Sequence, residues 1–362
     1  MKAYIVERDA LIHNIQTIRR HAGSVPIWAV LKGNGYGIGL VPFSKLLHEN
    51  GIDRFAVTER KEAEGLRELF PDAPILMLRS TSDPTEIREL LELGVILTVG
   101  SYDTAVAING VAAELERKAP VHLAVDTGMG RYGFLPGEYE RVVSVYEYMS
   151  NLTIEGIYTH FHSAFSSAAA TTRQFNQLSA LINRLRDSGH NPGMVHCCNS
   201  HAFLRHPEMH LDAVRIGSAF LGRLSFDDKL GLKKIGRAEC TVEALRQIPK
   251  GQTVGYGAAF TAKRPMKIGI IGLGWYHGFA LRRENDVFRF RDSLAGVLHY
   301  VKNMILPPKI LVTVEGKKCR VLGHVGMVNA VIDLSDLDCA VGSPVIADLN
   351  PLNMKGLRVV YR

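Results

Sequence analysis

The chain has 362 residues, 46% of them hydrophobic, and a formal charge of +7 from 43 basic and 36 acidic residues. That length is ample for a large core with a smaller unit beside it. The basic residues are scattered, with no Lys/Arg block interleaved with aromatics, which fits a small anionic ligand and excludes a nucleic-acid surface.

The opening "MKAYIVERDAL" is strand-like, and its charges at Lys2, Glu7, Arg8 and Asp9 interrupt any secretory-signal core. No apolar run anywhere reaches the roughly 18 residues of a membrane span, so a soluble cytoplasmic protein with no membrane partner is expected. Eight β-rich runs then follow: 27–32, 54–58, 74–78, 95–99, 121–126, 154–161, 194–199 and 212–217. Between them lie amphipathic stretches such as "KEAEGLRELF" and "TEIRELLEL", with Leu or Ile at three- and four-residue spacing. Eight apolar strands alternating with helices predict a (β/α)8 TIM barrel over residues 11–234. A doubly wound sheet of six strands would require two of the runs to be something else. Cys197 and Cys198, in the seventh run, read as buried thiols, and the five cysteines lack metal-ligand spacing.

Beyond about residue 235 the pattern changes. "MKIGIIGLGW", "KILVTVEG", "KCRVLGHVGMVNAVIDL", "SPVIADL" and "GLRVVYR" predict an all-β domain over 235–362 with little helix. Residues 1–10 are expected to supply a strand to it, and the polar segment 279–294 reads as a long excursion.

In such a barrel, chemistry sits on loops at the C-terminal ends of the strands. Lys32 closes the first strand in "AVLKGNGYGIGL", Arg131 follows the fifth, His160 and His162 end the sixth, Asn199 and Ser200 the seventh, and Arg215 and Gly217 the eighth. An ammonium at a barrel mouth near other cations has a lowered pKa, as Schiff-base chemistry requires. The glycines around it let a planar ring approach the backbone. Ser200, Gly217 and Ser218 fall at the usual phosphate-binding corner of the fold, with hydroxyl and N–H donors.

Lysine plus a phosphate cradle suggests pyridoxal phosphate, and here a resemblance becomes plain. The lysine motif, "HLAVDTGMGRYGF", "YTHF", "CNSHA", "VRIGSAFLG" and "VGYGAAF" occur in the order and approximate spacing of the alanine racemase family, fold-type III pyridoxal-phosphate enzymes. The resemblance covers essentially the whole chain. It implies an amino-acid racemase for alanine or a somewhat larger amino acid, working as a homodimer that shares its active sites across the interface. Lys32 would hold pyridoxal 5′-phosphate covalently and act as one base; Tyr256, from the partner subunit, would be the other. Tyr36, Ser200, Gly217 and Ser218 match phosphate-binding positions, with Asn199 beside them. Arg215 matches the arginine at the pyridine nitrogen, and a permanent cation there restrains side reactions. His160 matches a residue near the ring bonded to Arg215. Arg131 matches an arginine at the cofactor phenolate and substrate carboxylate, and Met327 a backbone donor to that carboxylate.

The chain also departs from the family. Ala124 stands where many members carry a carbamylated lysine, Val328 where an aspartate follows the methionine, Trp275 at the entrance tyrosine, and Leu357 at a pocket-narrowing tyrosine. These changes point to altered substrate preference. Two other readings stay open: a different fold-type III reaction, decarboxylation or aldol cleavage, and a non-catalytic pyridoxal-phosphate-binding protein. "GIIGLGWYHG" imitates a dinucleotide fingerprint but lacks the amphipathic helix that should follow. His160 and His162 lack further ligands for a metal, so none is expected.

Overall fold

The computed structural model describes residues 2–224, 229–281, 290–305 and 309–362. Contacts divide the chain into Arg8–Ile235 and a second unit formed by Met1–Glu7 with Gly236–Arg362.

The first strand, β1 (Ala3–Val6), belongs to the second unit. The first unit begins with α1 (Arg8–Ala22), followed by β2 (Ile27–Val30), β3 (Arg54–Val57), β4 (Ile75–Met77), β5 (Leu97–Val99), β6 (Ala119–Val125), β7 (Leu152–Thr159), β8 (Met194–His196) and β9 (Val214–Ile216). Among the described residues these eight strands form two parallel four-stranded arrays, β4-β3-β2-β9 and β5-β6-β7-β8. Isolated parallel bridges, Leu76 to Ile96 and His196 to Ala213, join the arrays into a closed barrel. Trp28, Val30, Ala56, Leu76, Ile96 and Ala213 pack together inside it. The helices between strands are well started. Asp83, Ser101 and Ser167 each accept a bond from a backbone N–H of the first turn of their helix. The helix Arg60–Leu69 has a capping box built from Glu59 and Glu62.

In the second unit the strands are β10 (Arg237–Ile248), β11 (Thr253–Val254), β12 (Phe260–Thr261), β13 (Met266–Ile271), β14 (Leu311–Val314), β15 (Lys317–Leu322), β16 (Ala330–Asp333), β17 (Pro344–Ala347) and β18 (Arg358–Tyr361). The order β13-β16-β15-β14-β17-β10 returns to β13, so six strands close a ring, and β1 and β18 extend from β10. β1 runs antiparallel to β10 and parallel to β18.

Two features differ from the expectation. The 12-residue β10 was not among the predicted strands, because "VEALRQI" is rich in helix formers. Its residues extend instead because β1, β13 and β17 all bond to it. A 16-residue helix, Phe290–Ile305, also stands in a unit predicted to hold little helix. It begins inside the predicted excursion, of which residues 282–289 lie outside the described residues.

Candidate active site

The C-terminal ends of the barrel strands surround a cavity of about 360 Å³ lined by Lys32, Tyr36, Arg131, His160, Asn199, Ser200, Arg215, Gly217 and Ser218. Every expected site residue of the barrel is therefore in one place.

Lys32 follows β2 and starts a backbone turn that L-residues rarely adopt. Gly33, Asn34, Gly35, Tyr36 and Gly37 all have φ between 54° and 85°. The turn is bonded: Gly35 N–H donates to Leu31 C=O at 2.8 Å and Gly37 N–H to Gly33 C=O at 2.9 Å. A left-handed turn costs an L-residue roughly 1–2 kcal/mol per position, a penalty glycine does not incur. The alternating glycines thus permit the turn, and the turn carries Tyr36 back toward the cavity. Glu62, buried, accepts from Asn34 N–H at 3.0 Å and anchors it.

The Lys32 side chain is accessible from the cavity, yet protein surrounds the ammonium closely. Burial and the Arg131 charge lower its pKa, and Glu62 partly opposes them. Burial pushes the Tyr36 phenol up to about 12, so it stays a hydroxyl donor.

Tyr36 meets the loop after β9 at Gly217. A Cβ at 217 would overlap the Tyr36 hydroxyl and lie 2.6 Å from its Cζ, which is why glycine stands there. The N–H groups of Gly217 and Ala219 converge on Ser200 Oγ at 3.0 and 3.3 Å. Asn199 caps the helix Ser200–Arg205 by accepting from His201 and Ala202, and its Nδ2 donates to Phe161 C=O.

Arg215 is buried on β9. Its Nη1 donates to His196 Nδ1 at 2.6 Å and His196 C=O at 3.1 Å; its Nη2 donates to Thr159 C=O at 2.7 Å and Cys197 C=O at 3.3 Å. Those bonds use four of the five guanidinium N–H groups, and among the described residues Nε–H has no partner. The expected bond between His160 and Arg215 is corrected here: the partner is His196, one strand over and pointing into the barrel. His160 lines the cavity instead, its pKa lowered to about 3 by burial and by Arg215, Arg131 and Lys32.

Arg131 lies on a loop gathered by Asp126, whose carboxylate accepts from the N–H groups of Gly128, Gly130 and Arg131 at 2.9, 3.0 and 3.2 Å. Ala124 is buried, and among the described residues the Arg131 guanidinium has no carboxylate partner; it lies 5.6 Å from the Tyr132 ring centroid.

Tyr256 and Met327 belong to the second unit. Tyr256 is 77% exposed. Met327 accepts from Tyr276 N–H at 3.0 Å, while its own N–H has no partner among the described residues. Trp275 and Val328 are exposed and Leu357 is buried within that unit.

Sequence reasoning missed Thr58, Arg79, Tyr132, Tyr158 and His201, which also line the cavity, and His196 behind it. Tyr158 sits two residues before His160 in a strand, and that same-face spacing was the available signal.

A closed barrel with a lysine and an arginine-rich, hydroxyl-lined cavity at its strand ends defines a barrel enzyme for a small anionic ligand. Comparison with known proteins makes the class specific. Residues 6–224 match the alanine racemase N-terminal domain and residues 235–349 the alanine racemase C-terminal domain. An alanine racemase of Desulforamulus reducens is 33% identical over 340 residues, 92% of this chain and 85% of the relative. One of Methanococcus maripaludis is 34% identical over 288 residues, 77% of each chain. Among solved structures, the alanine racemase of Clostridium difficile 630 superposes with a TM-score of 0.83 at 25% identity, covering 99% of this chain and 88% of that one. That of Bacillus anthracis, with bound L-Ala-P, superposes at 0.78 with 28% identity, covering 95% and 84%. The chain belongs to the alanine racemase family, and its activity is that of an amino-acid racemase. No helix among the described residues is long and apolar enough to cross a membrane.

Proposed function

We propose that this racemase uses pyridoxal 5′-phosphate held in the barrel cavity, and acts on alanine or a somewhat larger amino acid. The observation that carries the reading is one amine of lowered pKa, Lys32, in the same cavity as a hydroxyl and amide cluster. The donor set fits the cofactor. Tyr36, Ser200, Gly217 and Ser218 would hold its phosphate, and the free Nε–H of Arg215 would meet its ring nitrogen. When bound, the cofactor supplies the electron sink that acidifies the α-proton of an amino acid.

Lys32 would bind it covalently and move the α-proton on one face, a task for which a partly neutral amine is needed. Tyr256 would serve the opposite face from a second copy of the chain, so the working unit is a homodimer. Arg131 and the Met327 N–H would hold the substrate carboxylate. A cytoplasmic location and a small amino-acid substrate complete the reading.

The test is borohydride reduction of cofactor-loaded protein followed by peptide mapping, with racemisation of a panel of L-amino acids measured in deuterated water. Cofactor fixed on Lys32 and α-deuterated D-amino acid are expected. Label on another lysine, or no exchange with any substrate, would overturn the assignment.

A further inference from the structure

Four consecutive strands, β6 to β9, place His122, Tyr158, His196 and Arg215 in one buried polar column inside the barrel. Nearest the cavity, Arg215 Nη1 is 2.6 Å from His196 Nδ1; deeper, His196 Nε2 is 2.8 Å from His122 Nδ1. Arginine only donates, so His196 Nδ1 must accept. Burial and the Arg215 charge hold both rings neutral, so each carries one ring proton. That proton of His196 therefore sits on Nε2, donated to His122 Nδ1, and that of His122 sits on its own Nε2. One pattern of protons satisfies the column.

The surroundings hold the rings in place. The Tyr158 ring stacks on His196, 5.0 Å between centroids and 15° between planes, and Tyr158 Oη is 3.0 Å from Thr98 Oγ1. His122 stands edge-on to Trp28 at 5.9 Å and 87°. It fits because residue 156 is glycine: a Cβ there would lie 2.9 Å from His122 Cε1 and Nε2.

We propose that His122 is a positioning residue: by accepting the Nε2 proton it locks the tautomer of His196, and thereby the aim of Arg215. Without that acceptor, the Nε2 proton of His196 would be buried unpaired, a cost that opposes the preference set by Arg215 and shifts the proton toward Nδ1. There it points at a guanidinium N–H, two donors facing each other, and Arg215 must turn away. The function part of this inference rests on the reading of Arg215 as the group at the cofactor's ring nitrogen; the tautomer lock does not.

The experiment combines ¹⁵N-histidine NMR of the cofactor-loaded protein with kinetics, the His196 signal being assigned through His196→Gln. In the wild type, His196 should show a protonated Nε2 and an unprotonated Nδ1. His122→Leu should give a mixed tautomer and a roughly five- to tenfold lower kcat with KM little changed, the scale of one buried hydrogen bond. His122→Asn, which keeps an acceptor near the Nδ1 position, should restore the tautomer and most of kcat. The Asn variant also guards against a Leu variant that fails to fold. An unchanged tautomer in a folded His122→Leu protein would overturn the lock. A lost tautomer with unchanged kcat would overturn its link to Arg215. Failure of the protein to bind pyridoxal phosphate would sink the proposed function, and the NMR arm would still decide the lock.

Discussion

Gly217→Ala isolates the contact that joins the two halves of the cavity's hydroxyl corner. Residue 217 has φ −136°, outside the left-handed region, and what a side chain there meets first is the Tyr36 ring. The new Cβ would overlap the Tyr36 hydroxyl and lie 2.6 and 2.7 Å from Cζ and Cε2, all parts of one rigid ring. The ring cannot bend, and it is carried on a left-handed turn fixed by Glu62 and by its own hydrogen bonds, so it must tilt as a whole. Overpacking of this kind costs about 1–3 kcal/mol of stability. Moving the hydroxyl away from the phosphate position removes one charge-assisted bond, roughly 1.5–3 kcal/mol, or about 10- to 100-fold in cofactor affinity. Urea unfolding and cofactor titration of the apoprotein measure the two losses. The same substitution in a Tyr36→Ala background should then cost under about 0.5 kcal/mol in stability, because the obstructing ring is gone. An equal stability cost in both backgrounds, or wild-type affinity in the single variant, would refute the reasoning.

Two further outcomes follow from the same geometry. The chain should be sensitive to acid: His122, with a folded pKa of about 3, and His196, well below the usual value, stay neutral where the unfolded chain takes up protons. Their contribution is fully present above pH 6.5 and is lost as pH falls below it; for His122 the loss runs toward pH 3 and reaches about 2.7 kcal/mol at pH 4.5. Urea midpoints at pH 7.5 and 4.5 should therefore differ strongly, and less so in His122→Asn; equal midpoints would contradict this. Tyr256→Phe should lower racemisation by about 10²- to 10⁴-fold with cofactor binding intact. Mixing that variant with an inactive Lys32→Ala chain should restore activity if Tyr256 serves a second copy, since one site of the hybrid is then whole; no recovery on mixing would place the tyrosine elsewhere.

The barrel was legible because its strands are buried on both faces and stand out as short apolar runs between amphipathic stretches. The rim was legible because Lys32, Asn199 and Arg215 close such runs and Arg131 follows one. What failed was legibility inside the runs. His196 sits in "MVHCCN" among apolar neighbours, and nothing in a one-dimensional run tells a histidine aimed at an arginine from one packed in a core. The resemblance instead placed the partner of Arg215 at His160. β10 failed for a different reason. Its local preference is helical, and strands remote in sequence decide its conformation. The alternating glycines were read only as letting a ring approach the backbone, because a run of five left-handed residues is a property of φ angles and not of composition.

The pairing of β1 with β10 and β18 has a consequence for the order in which the protein can be assembled. In the chain's connectivity the barrel is an insertion: residues 8–235 separate β1 from β10, and β18 follows β10. A growing polypeptide can complete the barrel while β1 still lacks both its neighbours. Tyr4, Ile5 and Val6, fully buried in the finished sheet, spend that interval as an unclaimed apolar edge. β1, made ahead of the barrel, is thus among the last strands of its unit to find its place. The smaller unit, whose pairings span nearly the whole sequence, sets the pace of maturation and carries the risk of misassembly during synthesis.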